Sequence, residues 1–159
     1  MVSKLKALVA YLSYSGNTLE VAEIIIEKLK EHNFSVDVHR IGYDPPVQPE
    51  TYDLIFIGTF TWAEGATPDE VKDFVLEIGY KPDHIAVFGT GETQFGGDDL
   101  FCKAAIKLAK FYESRWEPLT IEQSPRGSQE LKVKNWIERV VNDGISHVRQ
   151  SENLRTIES

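Results

Sequence analysis

Short apolar runs, too brief to be helices, alternate along this chain with stretches of helical periodicity, and that alternation restricts the fold more than any other feature. Residues 5–12 are nearly continuously apolar and lead into a Gly-containing turn, the pattern of a strand buried on both faces of a parallel sheet. From Thr18 onward Val21, Ala22, Ile24, Ile25, Ile26 and Leu29 recur at helical spacing, with Glu20, Glu23, Glu27, Lys28, Lys30 and Glu31 mainly opposite. Residues 34–41 alternate like an edge strand, Pro45 and Pro46 break the chain, and residues 52–58 read as a second buried strand. A Pro-started helix is expected at 68–78, a buried strand at 84–89, a helix at 99–113, a strand at 116–122 and a closing helix from 129 to about 148. Five βα units in series predict an α/β fold, a parallel sheet covered by helices on both faces through right-handed crossovers. One domain is expected over 1–149, with a polar, frayed tail at 150–159.

Composition narrows the class further. The 159 residues include 42% hydrophobic and 26% charged side chains, as in ordinary globular proteins. No apolar run approaches the roughly 20 residues that span a bilayer, and the first residues lead into a strand instead of a signal peptide, so a cytoplasmic protein is expected. The single cysteine, Cys102, cannot form an intrachain disulfide or by itself build a metal centre. No metal site is expected; His32, His39, His84 and His147 are scattered and read as structural or surface residues. Residues 59–101 carry 2 basic and 9 acidic side chains, a net −7 of the chain's −8. Nucleic acid and anionic membranes would be repelled by it. Charge alone leaves two readings open, a solvated acidic face or a docking surface for basic partners.

In an open sheet of this kind ligands lie beyond the carboxyl ends of the strands, where the strand order reverses. The loops after Leu12, Gly58 and Gly89 are therefore the place to look. The first reads Ser13-Tyr14-Ser15-Gly16-Asn17-Thr18 and opens a helix. Its hydroxyls, amide and glycine at a helix N-terminus suit an anion. Neither the Walker pattern with its Lys nor G-x-G-x-x-G is present, so the expected ligand is one terminal phosphate held by neutral donors. The competing reading is a serine-rich turn that only caps its helix. The second loop carries Thr59, Thr61, Trp62, Ala63, Glu64 and Gly65. A tryptophan at a strand's carboxyl end is placed to lie on a flat ligand, or to cap the sheet.

These residues carry a resemblance. Ser-x-Ser-Gly-Asn-Thr after a first buried strand resembles the FMN-phosphate loop of the flavodoxins. Thr61-Trp62-x-x-Gly65-x-x-Pro68 resembles their first ring-binding loop, and Phe88-Gly89-Thr90-Gly91-Glu92 through Phe95 to Phe101-Cys102 resembles their second. The resemblance covers residues 4–148. Phe95 and Glu122 are only 27 positions apart, which leaves no space for the long insertion in the last strand and matches the short-chain type. It implies a flavodoxin-like three-layer sandwich, with strand order 2-1-3-4-5. It further implies that Trp62 stacks on the isoalloxazine ring and that the Ala63 carbonyl turns toward flavin N5. Backbone N–H groups of Thr90, Gly91, Glu92 and Cys102 would address the pyrimidine end, and Phe95 stands where a stacking tyrosine is usual. Cys102 itself reads as a buried small hydrophobe.

The function so implied is that of a monomeric, low-potential carrier without catalytic residues. It would pass single electrons on noncovalent FMN from a flavodoxin/ferredoxin-NADP reductase-type donor to an acceptor enzyme, both docking on the acidic face. A ribonucleotide-reductase activating flavoprotein and an FMN-dependent NAD(P)H quinone reductase are the alternatives. A phospho-receiver domain is disfavoured, because Ser13-Tyr14 and Gly58-Thr59 stand where it needs carboxylates.

Overall fold

The structure, a computed structural model, describes residues 5–14, 16–61, 66–91, 102–122 and 125–158, with side chains up to residue 146. Five strands, β1 (Lys6–Tyr11), β2 (Ser35–Arg40), β3 (Leu54–Phe60), β4 (Ile85–Gly91) and β5 (Leu119–Glu122), alternate with helices α1 (Asn17–Glu31), α2 (Asp69–Ile78), α3 (Lys103–Phe111) and α4 (Ser128–Glu158). All strand pairs are parallel. Their order is β2-β1-β3-β4-β5, as expected, so the order reverses between β1 and β3.

The sheet is apolar on both sides because each side is roofed. Ala7, Val9, Phe56 and Phe88 point into a core closed by α1 and α4, where Trp136 meets the Phe56 ring edge-on at 5.9 Å. Leu8, Ala10, Ile55, Ile57 and Val87 point the other way, under α2 and α3. Alternate residues of one strand thus serve opposite cores, which is why central strands read as unbroken apolar runs. Strand β2 lies at the edge, and His39 is its one buried residue. Two close approaches need glycine. A Cβ on Gly58 would sit 2.2 Å from the Phe88 ring, and one on Gly89 would sit 2.5 Å from Cβ of Ala105 in α3.

Three boundaries differ from expectation by three residues or more. Strand β5 starts at Leu119, not at 116; Pro118 has no N–H to give a ladder. Helix α3 starts at Lys103 because Cys102 before it takes a left-handed conformation, φ 55°, which no helix interior accommodates. The closing helix does not stop near 148, and the segment expected to fray is helical to Glu158. Gly144 does not end it, since a Cβ there would already lie 3.0 Å from Leu54. Beyond it come Arg, Gln, Glu and Leu with no Gly or Pro; polar composition alone is not a stop signal.

Candidate functional site

The first loop is built around one serine. Ser13 Oγ accepts hydrogen bonds from the backbone N–H groups of Gly16 and Leu19, both at 3.2 Å. It satisfies two donors that the start of α1 would otherwise leave unpaired. Ser13 thus caps the helix, and among the described residues no acceptor takes its own proton. Gly16 has φ +95°, and a Cβ placed on it would meet nothing within 4 Å, so the loop is open on that side. Asn17 begins the helix, half-buried. Thr18, in the first turn, is buried, and its Oγ1 lies 2.8 Å from Oγ1 of the equally buried Thr90. The three hydroxyls expected in one nest thus divide. Ser13 braces the helix, Thr18 reaches β4, and Ser15 lies outside the described residues.

Tyr14 is exposed. Its hydroxyl donates to Glu70 at the start of α2, and its ring leans on Phe60 with centroids 5.0 Å apart. The bond to Glu70 raises the Tyr14 pKa above its usual value. On the β2 side of the loop is a cleft of about 270 Å³ lined by Tyr11, Ser13, Tyr14, Gly16, Arg40 and Tyr43. The Arg40 guanidinium is held by Asp44 at 3.0 Å and lies over the Tyr43 ring. Arg40 and Tyr43 are not singled out by the sequence, and Glu70 enters there only as part of the acidic stretch. The run Arg40-Ile41-Gly42-Tyr43-Asp44 at the end of the strand neighbouring β1 was the available signal.

At the second loop Thr59 is buried and its hydroxyl donates to the Phe60 carbonyl at 2.8 Å. Thr61 Oγ1 accepts from the backbone N–H of Ala104 at 3.1 Å and so ties the loop to the first turn of α3. Trp62, Ala63, Glu64 and Gly65 lie outside the described residues, as do Glu92 and Phe95 of the third loop. Gly91 is the last residue of β4. Cys102 is fully buried, and its thiol donates to the Ile121 carbonyl at 3.7 Å. Burial pushes this thiol up to about 12, so it stays protonated and inert at neutral pH.

Among the described residues no group of three or more His, Cys, Asp or Glu side chains could hold a metal ion, and no helix is long and apolar enough to cross a membrane. His32 pairs with Glu138 at 2.9 Å, His84 with Asp83 at 3.2 Å, and His39 packs on Phe74. Of the acidic residues in the 59–101 stretch, Asp69, Asp73 and Glu77 are exposed on α2.

The model of the flavodoxin family matches residues 9–116, which takes in the first two loops and strands β3 and β4. The chain belongs to the flavodoxin family. It is 32% identical over 140 residues to probable flavodoxin 2 of Bacillus subtilis, covering 82% of this chain and 91% of that one. It is 36% identical over 141 residues to probable flavodoxin 1 of the same organism, covering 80% and 84%. Among solved structures, oxidised flavodoxin 2 from Bacillus cereus superimposes with a TM-score of 0.75 at 28% identity, over 87% of this chain and 99% of that one. These matches span 80–87% of this chain and 84–99% of the relatives. As a member of this family the chain is a flavin-binding electron-transfer protein that works with redox partners, and not an enzyme with a substrate of its own.

Proposed function

We propose that the chain binds one FMN noncovalently, with the phosphate at the first loop and the ring between the second and third, and that it passes electrons one at a time in the cytoplasm between a flavodoxin/ferredoxin-NADP reductase-type donor and an acceptor enzyme. The observation that carries this reading is the first loop: an open, left-handed glycine beside the amides that begin a 15-residue helix, with a Ser13 proton that no acceptor takes among the described residues. A helix N-terminus with such donors favours an anion without any lysine. FMN supplies one- and two-electron redox chemistry at its isoalloxazine ring. The protein's part is to hold it. Ser13, Ser15, Gly16, Asn17 and Thr18 would bind the phosphate, Trp62 and Phe95 would cover the ring and exclude water, and the amides of Thr90, Gly91, Glu92 and Cys102 would orient its pyrimidine edge. Thr61 acts at one remove, since its bond to Ala104 fixes where the second loop leaves β3.

The acidic stretch would surround the exposed flavin edge, so a partner would present Lys and Arg. The test is a fluorescence titration of the deflavinated protein with FMN and with riboflavin. FMN is expected to bind at least tenfold more tightly, and equal affinities would refute the phosphate assignment. Trp62→Ala is expected to weaken both flavins, because it removes a ring contact common to both.

A further inference from the structure

The Thr18–Thr90 contact joins two parts of the site that are 72 residues apart in the chain. Thr18 belongs to the first turn of α1; Thr90 lies in β4, paired with Phe60 of β3 on one side and Ile121 of β5 on the other. Each is at most 2% exposed. Two hydroxyls that share one hydrogen bond hold two protons between them, and one proton lies in the shared bond. Among the described residues no acceptor takes the second, because each hydroxyl has the other as its one partner. A buried O–H left without an acceptor is costly, and the usual partner for a helical threonine, the carbonyl one turn back, is not used here.

We propose that Thr90 is a positioning residue for phosphate recognition: its hydroxyl donates to Thr18 Oγ1, which commits the Thr18 proton outward to the anion at the first loop. The inference rests on the FMN reading above. Strand β4, flanked by two neighbours, is a rigid support from which to fix a side-chain rotamer on α1. The direction of the bond follows from the ligand. With an anion beside α1, the Thr18 oxygen gains most by accepting from Thr90 and giving its own proton to a charged acceptor, the stronger class of hydrogen bond. Without Thr90 nothing among the described residues fixes which way the Thr18 proton points.

The experiment compares FMN and riboflavin affinities in the full-length deflavinated protein for wild type, Thr90→Val, Thr90→Ser and Thr18→Val, with Thr18→Val/Thr90→Val closing a double-mutant cycle. Thr90→Val is expected to cut the FMN-to-riboflavin affinity ratio by about tenfold, the scale of one charge-assisted hydrogen bond; because the ratio is read, any change at the ring, common to both flavins, divides out. Thr90→Ser restores the ratio, and Thr90→Val has no further effect on it in the Thr18→Val background. If Thr90→Val weakens both flavins equally, its role is packing alone and the proposal fails; it fails too if the ratio is unchanged. A variant that does not fold leaves the decision to Thr90→Ser and Thr18→Val: a Thr18→Val ratio equal to wild type overturns the proposal. Equal FMN and riboflavin affinities in the wild type would instead sink the FMN-phosphate reading, and this proposal with it.

Discussion

Substituting Gly58 by alanine adds one methyl group where the structure has no place for it. Gly58 and Phe88 are cross-strand partners in β3 and β4, and an added Cβ would lie 2.2 Å from two carbons of the Phe88 ring, against about 3.4–4 Å for ordinary contact. The ring would have to withdraw by more than an ångström. Phe88 is completely buried between β3 and the core under α1 and α4, so withdrawal displaces other packed groups. Overpacking of this kind costs about 1–3 kcal/mol. For a chain of this length each kcal/mol lowers Tm by about 2–4 °C, which gives a fall of roughly 2–12 °C. Urea and thermal melts of the deflavinated protein measure it. Phe88→Leu supplies the control, because it removes the ring atoms that the new methyl meets. The double variant Gly58→Ala/Phe88→Leu should be less destabilised than the sum of the singles by about 1 kcal/mol or more. A Gly58→Ala protein melting within 1 °C of wild type, or strictly additive effects in the double variant, would show that the ring does not need this glycine.

Three further outcomes are expected. Ser13→Ala removes the acceptor for the Gly16 and Leu19 amides and should cost about 1 kcal/mol of stability even without flavin; urea melts showing a loss only in the FMN-loaded form would mean that the serine is a ligand and not a cap. Burial holds His39 below its usual pKa, against the opposing pull of Asp44 and Glu77, so the unfolded chain takes up a proton before the native one. Stability attributable to His39 is complete above about pH 6.5 and falls as pH drops from there toward the lower folded pKa, by at most about 1.4 kcal/mol per pH unit; His39→Gln should flatten that part of the pH–stability curve, and an unchanged slope would contradict it. Replacing Glu64, Asp69 and Asp98 with neutral isosteres should slow reduction by a basic reductase at low salt and flatten the salt dependence, since such steering is screened over about 8 Å at physiological ionic strength; stopped-flow rates unchanged at every salt concentration would make the acidic stretch an ordinary solvated surface.

The legible part of the fold was the part set by local pattern. Strands β1, β3 and β4 are roofed on both faces, so runs such as Leu54-Ile55-Phe56-Ile57 have no polar interruption and cannot be mistaken for a helix face. Boundaries failed where one residue's backbone chemistry overrides such a pattern. Pro118 delays β5, and Cys102 at φ 55° delays α3. The end of α4 failed for another reason: the polar run after about 148 reads as a frayed tail, yet it holds no Gly or Pro to stop a helix.

The site divides along the same line. Residue types and loop positions could be read because a βα turn is local, but the use made of each side chain depends on which βα units become neighbours. Thr18 meets Thr90, Tyr14 meets Glu70, and Thr61 meets the amide of Ala104. Each of these bonds runs from one βα unit to another, and the sheet order β2-β1-β3-β4-β5 is what brings the units together. A hydroxyl read in the sequence as acting alone can therefore share a hydrogen bond with a distant element, as Thr18 does with Thr90 of β4. It follows that the first loop should not hold its shape in an isolated β1–α1 fragment. Its geometry depends on β4 and α2, which the chain supplies only after the order reversal between β1 and β3 has been made.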